Sequence, residues 1–255
     1  MTNKSIRGET HWLFLRGLAR EARHWGDFAS RFEAAVPGAR VHALDLPGTG
    51  RRFDESAPVL ISETTDLVRE EFRTRVPQGA PAAVLAISLG GMLAADWLAR
   101  YPGEFGAGVL INSSFAGVSS VFERLRPTAL MRVLAIAGHS GSLARERAIL
   151  RMISNRPEAY ERLAGEWAKY TESAPLSLAN AARQLIAAAR FRLPAERPTC
   201  RLLVLASRAD RMVNSRCSER LAQVWASTLR VHSEAGHDLP LDAPTWVAAQ
   251  VGEWY

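Results

Sequence analysis

Cysteine is nearly absent from this chain of 255 residues, which has only Cys200 and Cys217. Two thiols are too few for a disulfide framework or a cysteine zinc site, and they point to free thiols in a reducing compartment. No window approaches the ~18 uncharged apolar residues of a membrane span, and the stretch 1–10 has no apolar run of the kind a secretory leader carries. The expectation is a cytoplasmic protein with no membrane partner. Lysine is almost missing as well: of 32 basic residues, all but Lys4 and Lys169 are arginine. A net charge of +6 built in this way reflects codon bias rather than a nucleic-acid partner. Acids are interleaved with the arginines, as in Arg69, Glu70, Glu71 and Arg73, and no block of five like charges, zinc-finger spacing or aromatic platform occurs. Internal repeats and low-complexity tracts are also lacking.

What is present is ordinary globular material, 47% hydrophobic and 23% charged. The length suits one or two domains and a core that buries roughly 70–75% of the unfolded surface. Short apolar runs recur at 12–15, 41–46, 82–87, 108–111, 202–206 and 229–231. Their apolarity is continuous rather than alternating, as a sheet covered on both faces requires, and helical stretches separate them, so the strands are parallel. Helices are expected at 23–36, 64–76, 89–100, 215–225 and 243–254, with Pro37-Gly38, Pro77-Gln78-Gly79 and Pro102-Gly103 stopping three of the connections. From 119 to 195 the alternation breaks and only helical periodicity remains, at 144–153, 157–170 and 176–191. The expected organisation is therefore an α/β core of about six strands from 1–118 and 196–255, with a helical lid at 119–195 above the carboxyl ends of the sheet.

The sharpest local signal is Leu85-Ala86-Ile87-Ser88-Leu89-Gly90-Gly91, where a buried strand runs into Ser88 and a helix begins at once. So abrupt a turn strains its central residue and crowds strand against helix, so small residues are needed two positions either side; Ala86 and Gly90 meet that need. Ser88 is then either a nucleophile or an ordinary cap of the helix. A nucleophilic serine needs a base, and the base needs an acid to orient it. His237 lies in the loop after the last apolar run, beside Gly236, whereas His11, His42 and His232 fall in or beside strands and His24 in the first helix. Asp210 follows the fifth run. By itself it is either the orienting acid or a surface carboxylate paired with Arg208 or Arg211. Taken together, Ser88, Asp210 and His237 all leave strands at the same edge of a parallel sheet.

In that chain order, and with Leu13-Phe14-Leu15-Arg16-Gly17-Leu18, Leu44-Asp45-Leu46-Pro47-Gly48-Thr49-Gly50 and Gly236-His237 around them, the sequence resembles the α/β-hydrolase superfamily over nearly its whole length. The resemblance implies Ser88 as nucleophile, His237 as base and Asp210 as acid. It also implies an oxyanion hole made by the backbone N–H groups of Leu18 and Leu89. Where the family usually reads His-Gly-X, this chain has Arg16-Gly17-Leu18. The short lead before the first strand suggests a member without the usual N-terminal hairpin. Serine at the elbow speaks against haloalkane dehalogenases and epoxide hydrolases, which carry aspartate there. What remains is acyl chemistry on a small ester, without metal or organic cofactor; thioester or C–C bond hydrolysis, or ligand binding without catalysis, are the alternatives. Trp25, Phe115, Met131, Tyr160 and Trp167 are candidates to line the pocket under the lid. Arg16, Arg20 and Arg23 either favour an acidic substrate or are solvated or paired with Glu21 and Asp27.

Overall fold

The computed structural model describes residues 8–255; the stretch examined for a leader and the first seven residues of the expected core lie outside the described residues, apart from positions 8–10. Six strands, β1 (Thr10–Leu15), β2 (Ala39–Leu44), β3 (Ala82–Ile87), β4 (Ala107–Ile111), β5 (Arg201–Ser207) and β6 (Thr228–His232), form one sheet in the order β2-β1-β3-β4-β5-β6. Every pairing is parallel. The order reverses between β1 and β3, which opens a crevice at the carboxyl ends of these strands.

The continuous apolar runs arise because alternate side chains enter two different cores. Leu13, Leu15, Val84, Ala86, Leu110 and Val204 pack against α2 (Ile61–Arg75), α3 (Leu89–Arg100) and α9 (Arg216–Val224). Trp12, Phe14, Leu85, Ile87, Val109 and Leu205 face the opposite way, toward α1 (Phe28–Ala35) and the last helix, α10 (Pro244–Trp254). A strand buried on both faces has no polar side to alternate with.

One helix departs from the sequence expectation. The stretch 23–36 is split into a 3-10 turn (Ala22–Trp25) and α1, because Gly26 turns the chain at φ 54°. Between β4 and β5 lie α4 (Val121–Arg124), α5 (Pro127–Ala137), α6 (Ser142–Ile153), α7 (Tyr160–Ser173) and α8 (Leu178–Arg190). The first two lie ahead of the expected helices, where apolar residues on α5 stay exposed: Met131 is 66% and Leu134 61% accessible. Helices α6 and α7 share a small core of their own around Leu150, Ile153, Ala164 and Trp167. No described helix is long and apolar enough to cross a membrane.

Candidate active site

Ser88 sits at φ 56°, between the last residue of β3 and the first of α3. The tight turn works because of Gly90: a Cβ there would come 2.5 Å from the Leu15 carbonyl oxygen and 2.6 Å from that of Arg16. Backbone cannot retreat from such a contact, so only glycine lets α3 start this close to the end of β1. The Ser88 N–H donates to the Ile111 carbonyl at 2.9 Å, and the Ser88 carbonyl accepts from Gly91 N–H and from the Ser113 hydroxyl, both at 3.0 Å. Ser88 is thus not acting as a side-chain cap of the helix, the alternative left open by the sequence.

Asp210 and His237 meet directly. The imidazole Nδ1–H donates to Asp210 Oδ2 at 2.7 Å, and Asp210 Oδ1 accepts the N–H groups of Met212 at 2.7 Å and Val213 at 3.0 Å. Asp210 therefore turns inward instead of pairing with Arg208 or Arg211. Burial opposes protonation of His237, but the charge of Asp210, the hydrogen bond to it and the charge of Asp238 together outweigh burial and hold the imidazole pKa above its ordinary value. With Nδ1 committed, Nε2 is the nitrogen left to exchange a proton.

The loop that carries His237 is held by residues with no sequence signature of their own. Asn112, at the end of β4 and at φ 47°, donates to the His237 carbonyl at 2.8 Å and to the Ser207 hydroxyl at 3.0 Å, and accepts from Ser207 N–H at 2.8 Å. One amide so ties β4, β5 and the histidine loop together. Asp242 accepts Gly236 N–H at 2.7 Å, Asn155 N–H at 2.8 Å and the Ser154 hydroxyl at 2.6 Å. Asp238 N–H donates to the Ile153 carbonyl at 2.8 Å, and Arg16 donates to the Asp238 carboxylate through both terminal nitrogens. Asp238 and Asp242, the carboxylates nearest His237 in sequence, are thereby occupied elsewhere.

Ser88 and His237 open on one cavity of about 210 Å³ whose wall also includes Leu18. The loop at Gly17 and Leu18 passes directly over the serine, since a Cβ on Gly17 would lie 3.1 Å from Ser88 Cβ. Leu89 is the first residue of α3, so its N–H has no intrahelical partner and is free to face an oxyanion. Ala19 is at φ 59°, and its N–H donates to Gln184 Oε1 on α8 at 3.1 Å. The next residue, Arg20, donates to Glu146 on α6 at 2.8 Å. Helices between β4 and β5 thus hold the same loop that covers the serine.

The residues expected to line the pocket do not line this cavity. Trp25 stacks on Phe28 and packs against Phe14 in the sheet core. Phe115 packs between Phe191 and Trp225. Met131 faces outward, Tyr160 lines a separate groove, and Trp167 fills the α6–α7 core in a T-shaped pair with His24. Large aromatics gain most where packing is densest, so these four rings are drawn into cores or grooves elsewhere, and among the described residues only the rings of Tyr170, His24 and His237 itself reach the cavity, beside shorter aliphatic chains. Val133, Ile136, Ile149, Met152, Leu178 and Leu185 supply that wall. The three arginines near the first strand are internally paired, Arg16 with Asp238, Arg20 with Glu146 and Arg23 with Glu21, while Asp27 pairs with Arg31 instead.

Comparison with known proteins agrees with this architecture. A monoacylglycerol lipase from Mycolicibacterium smegmatis is 36% identical over 118 residues, covering 43% of this chain and 40% of the relative. A pimeloyl-[acyl-carrier protein] methyl ester esterase from Chromobacterium violaceum is 34% identical over 91 residues, covering 36% of this chain and 33% of the relative. The matched stretches thus span well under half the length of either relative. Among solved structures, the esterase RhEst1 from Rhodococcus sp. ECU1013 superposes with a TM-score of 0.76 at 18% identity, covering 96% of this chain and 90% of that one. At that identity the likeness is one of fold. The profile of the alpha/beta hydrolase family matches residues 12–250, nearly the full chain, and the protein belongs to that family.

Proposed function

We propose that the chain is a serine hydrolase of small carboxylic esters. Ser88 Oγ attacks the ester carbonyl while His237 Nε2 takes its proton. The N–H groups of Leu18 and Leu89 hold the oxyanion, and Asp210 fixes the tautomer and stabilises the imidazolium. His237 then protonates the leaving alcohol, and water repeats the sequence on the acyl-enzyme. Residues 119–195 act as a lid over the core of 8–118 and 196–255, because they supply most of the apolar wall opposite Ser88. The observation that carries the reading is the convergence of a strained serine and an aspartate-bound histidine on one apolar cavity. The esterase and lipase names of the two sequence relatives agree with it. Thioesters follow the same chemistry and belong to the same substrate class. The test is a fluorophosphonate probe together with p-nitrophenyl butyrate: labelling confined to Ser88 and turnover abolished by S88A are expected, and a chain that neither labels nor turns over ester would be a ligand-binding member of the family.

A further inference from the structure

Arg16 stands where the family usually has histidine, and it is 2% exposed. Its guanidinium lies over the Trp25 ring, 4.7 Å from the centroid, and grips both carboxylate oxygens of Asp238, which is 1% exposed. A planar guanidinium on a carboxylate fixes distance and orientation together, which a point charge does not. The two partners are 222 positions apart in sequence and belong to different parts of the site. Arg16 precedes Gly17 and Leu18, the loop over Ser88, and Asp238 follows His237. The Arg16 carbonyl also packs on Gly90, the second residue of the helix behind the serine.

We propose, resting on the serine-hydrolase reading, that Arg16 and Asp238 form a charge-neutral clasp that positions the Leu18 donor relative to His237. Arg16 and Asp238 line the cavity, but both terminal nitrogens of the guanidinium are committed to the carboxylate, so in this assignment Arg16 is a positioning residue. The clasp has an electrostatic signature that a packing role lacks. His237 is faced by Asp210, by Asp238 and by Arg16, with Asp242 on the adjoining turn bound to Gly236 N–H. Asp238 favours the imidazolium and Arg16 disfavours it, so in the intact pair the two oppose each other. D238N leaves the Arg16 charge uncompensated and moves the acid limb of kcat/KM to lower pH. R16Q leaves the Asp238 charge and moves the limb to higher pH. R16Q/D238N removes both charges and returns the limb toward its original place.

The experiment compares the unmodified chain with R16Q, D238N, R16Q/D238N and R16K on p-nitrophenyl butyrate, with fluorophosphonate labelling and thermal melting alongside. Misplacing a catalytic group by about 1 Å costs roughly 100-fold, so each single variant is expected to lose kcat on that order with KM within about twofold. The losses should be far from additive in the double variant. R16K keeps the charge and loses the planar grip, so it should hold the original pH limb while kcat falls about tenfold or more. If R16Q and D238N do not fold, R16K and the double variant decide. Limbs that move in the same direction in R16Q and D238N, or an R16K enzyme with unchanged kcat, would overturn the clasp. An unmodified chain without labelling or turnover would instead overturn the hydrolase reading itself.

Discussion

At the scale of single residues, the site depends on which hydrogen bonds each polar atom has already made. Asp210 spends one oxygen on two backbone N–H groups and the other on His237, so it stays fixed. Asp210→Asn is therefore expected to fold normally yet lose on the order of 10⁴ in kcat, because an amide stabilises the wrong tautomer. Steady-state kinetics on protein with an unchanged melting curve checks this, and a larger loss from Asp242→Asn in folded protein would move the acid. Ser88→Ala should approach the roughly millionfold loss seen when another serine hydrolase loses its nucleophile; activity above a tenth of the original would place the nucleophile elsewhere. The raised pKa of His237 has a definite sign. The base must be neutral to accept the serine proton, so kcat/KM falls as pH drops through a value above the ordinary ~6.5. A pH profile with its acid limb at or below that value would contradict the arrangement. These three residues were legible in the sequence because local features mark them: a strand running straight into a helix at Ser88, and loops after strands at Asp210 and His237. Asn112, Asp238 and Asp242 were not, since their partners lie up to 222 positions away and nothing in a short window records them.

At the scale of elements, apolar runs located all six strands to within about two residues; in β1, β3, β4 and β5 burial on both faces leaves an unbroken run, while the edge strands β2 and β6 are only half-buried and their runs are interrupted by His42 and Arg230. Helices were less legible where the chain bends sharply. Gly26 divides the first one, and α5 shows no clear stripe because Leu130, Met131 and Leu134 face solvent. The contacts that bind α6 and α8 to the loop over Ser88 lie beyond any sequence pattern, and they make the helical segment part of the site. Glu146, on α6, is 1% exposed and meets Arg20 and the Thr171 hydroxyl. Removing one partner of a buried ion pair leaves the other charge without compensation, at a cost of about 3–5 kcal/mol. Glu146→Gln is thus expected to lower stability by an amount in that range, read as a shift in denaturant midpoint at constant m-value. A change under about 1 kcal/mol would mean that Arg20 finds another partner and that the helix is not held through this pair.

At the scale of the whole molecule, the apolar cavity lies between two bodies with separate cores, one around the sheet and one between α6 and α7. The positive charge that the sequence placed near the pocket is neutralised on the spot, because Arg16 and Arg20 are each held by a buried carboxylate. An acidic acyl group would therefore find no free charge on Arg16 or Arg20, and along the aliphatic part of the wall selection falls to size and apolarity. Each methylene moved from water into an apolar pocket gains about 0.8 kcal/mol, close to a fourfold change in affinity. That gain continues only until the chain meets a wall, and a cavity of about 210 Å³ lined in part by Ile136, Ile149, Met152 and Leu185 brings the wall early. Beyond it, a further methylene has to displace packed side chains, at a cost of the same order or more. Across p-nitrophenyl esters from acetate to palmitate, kcat/KM is expected to climb through the short acyl chains, peak at short or medium length and fall again. Met152→Ala and Ile149→Ala should each move the peak toward longer chains by removing part of the wall while leaving Ser88, Asp210 and His237 in place. A steady rise through palmitate, with activation at an oil–water interface, would require an acyl site open to the surface, and the cavity would then be only the inner end of a longer groove.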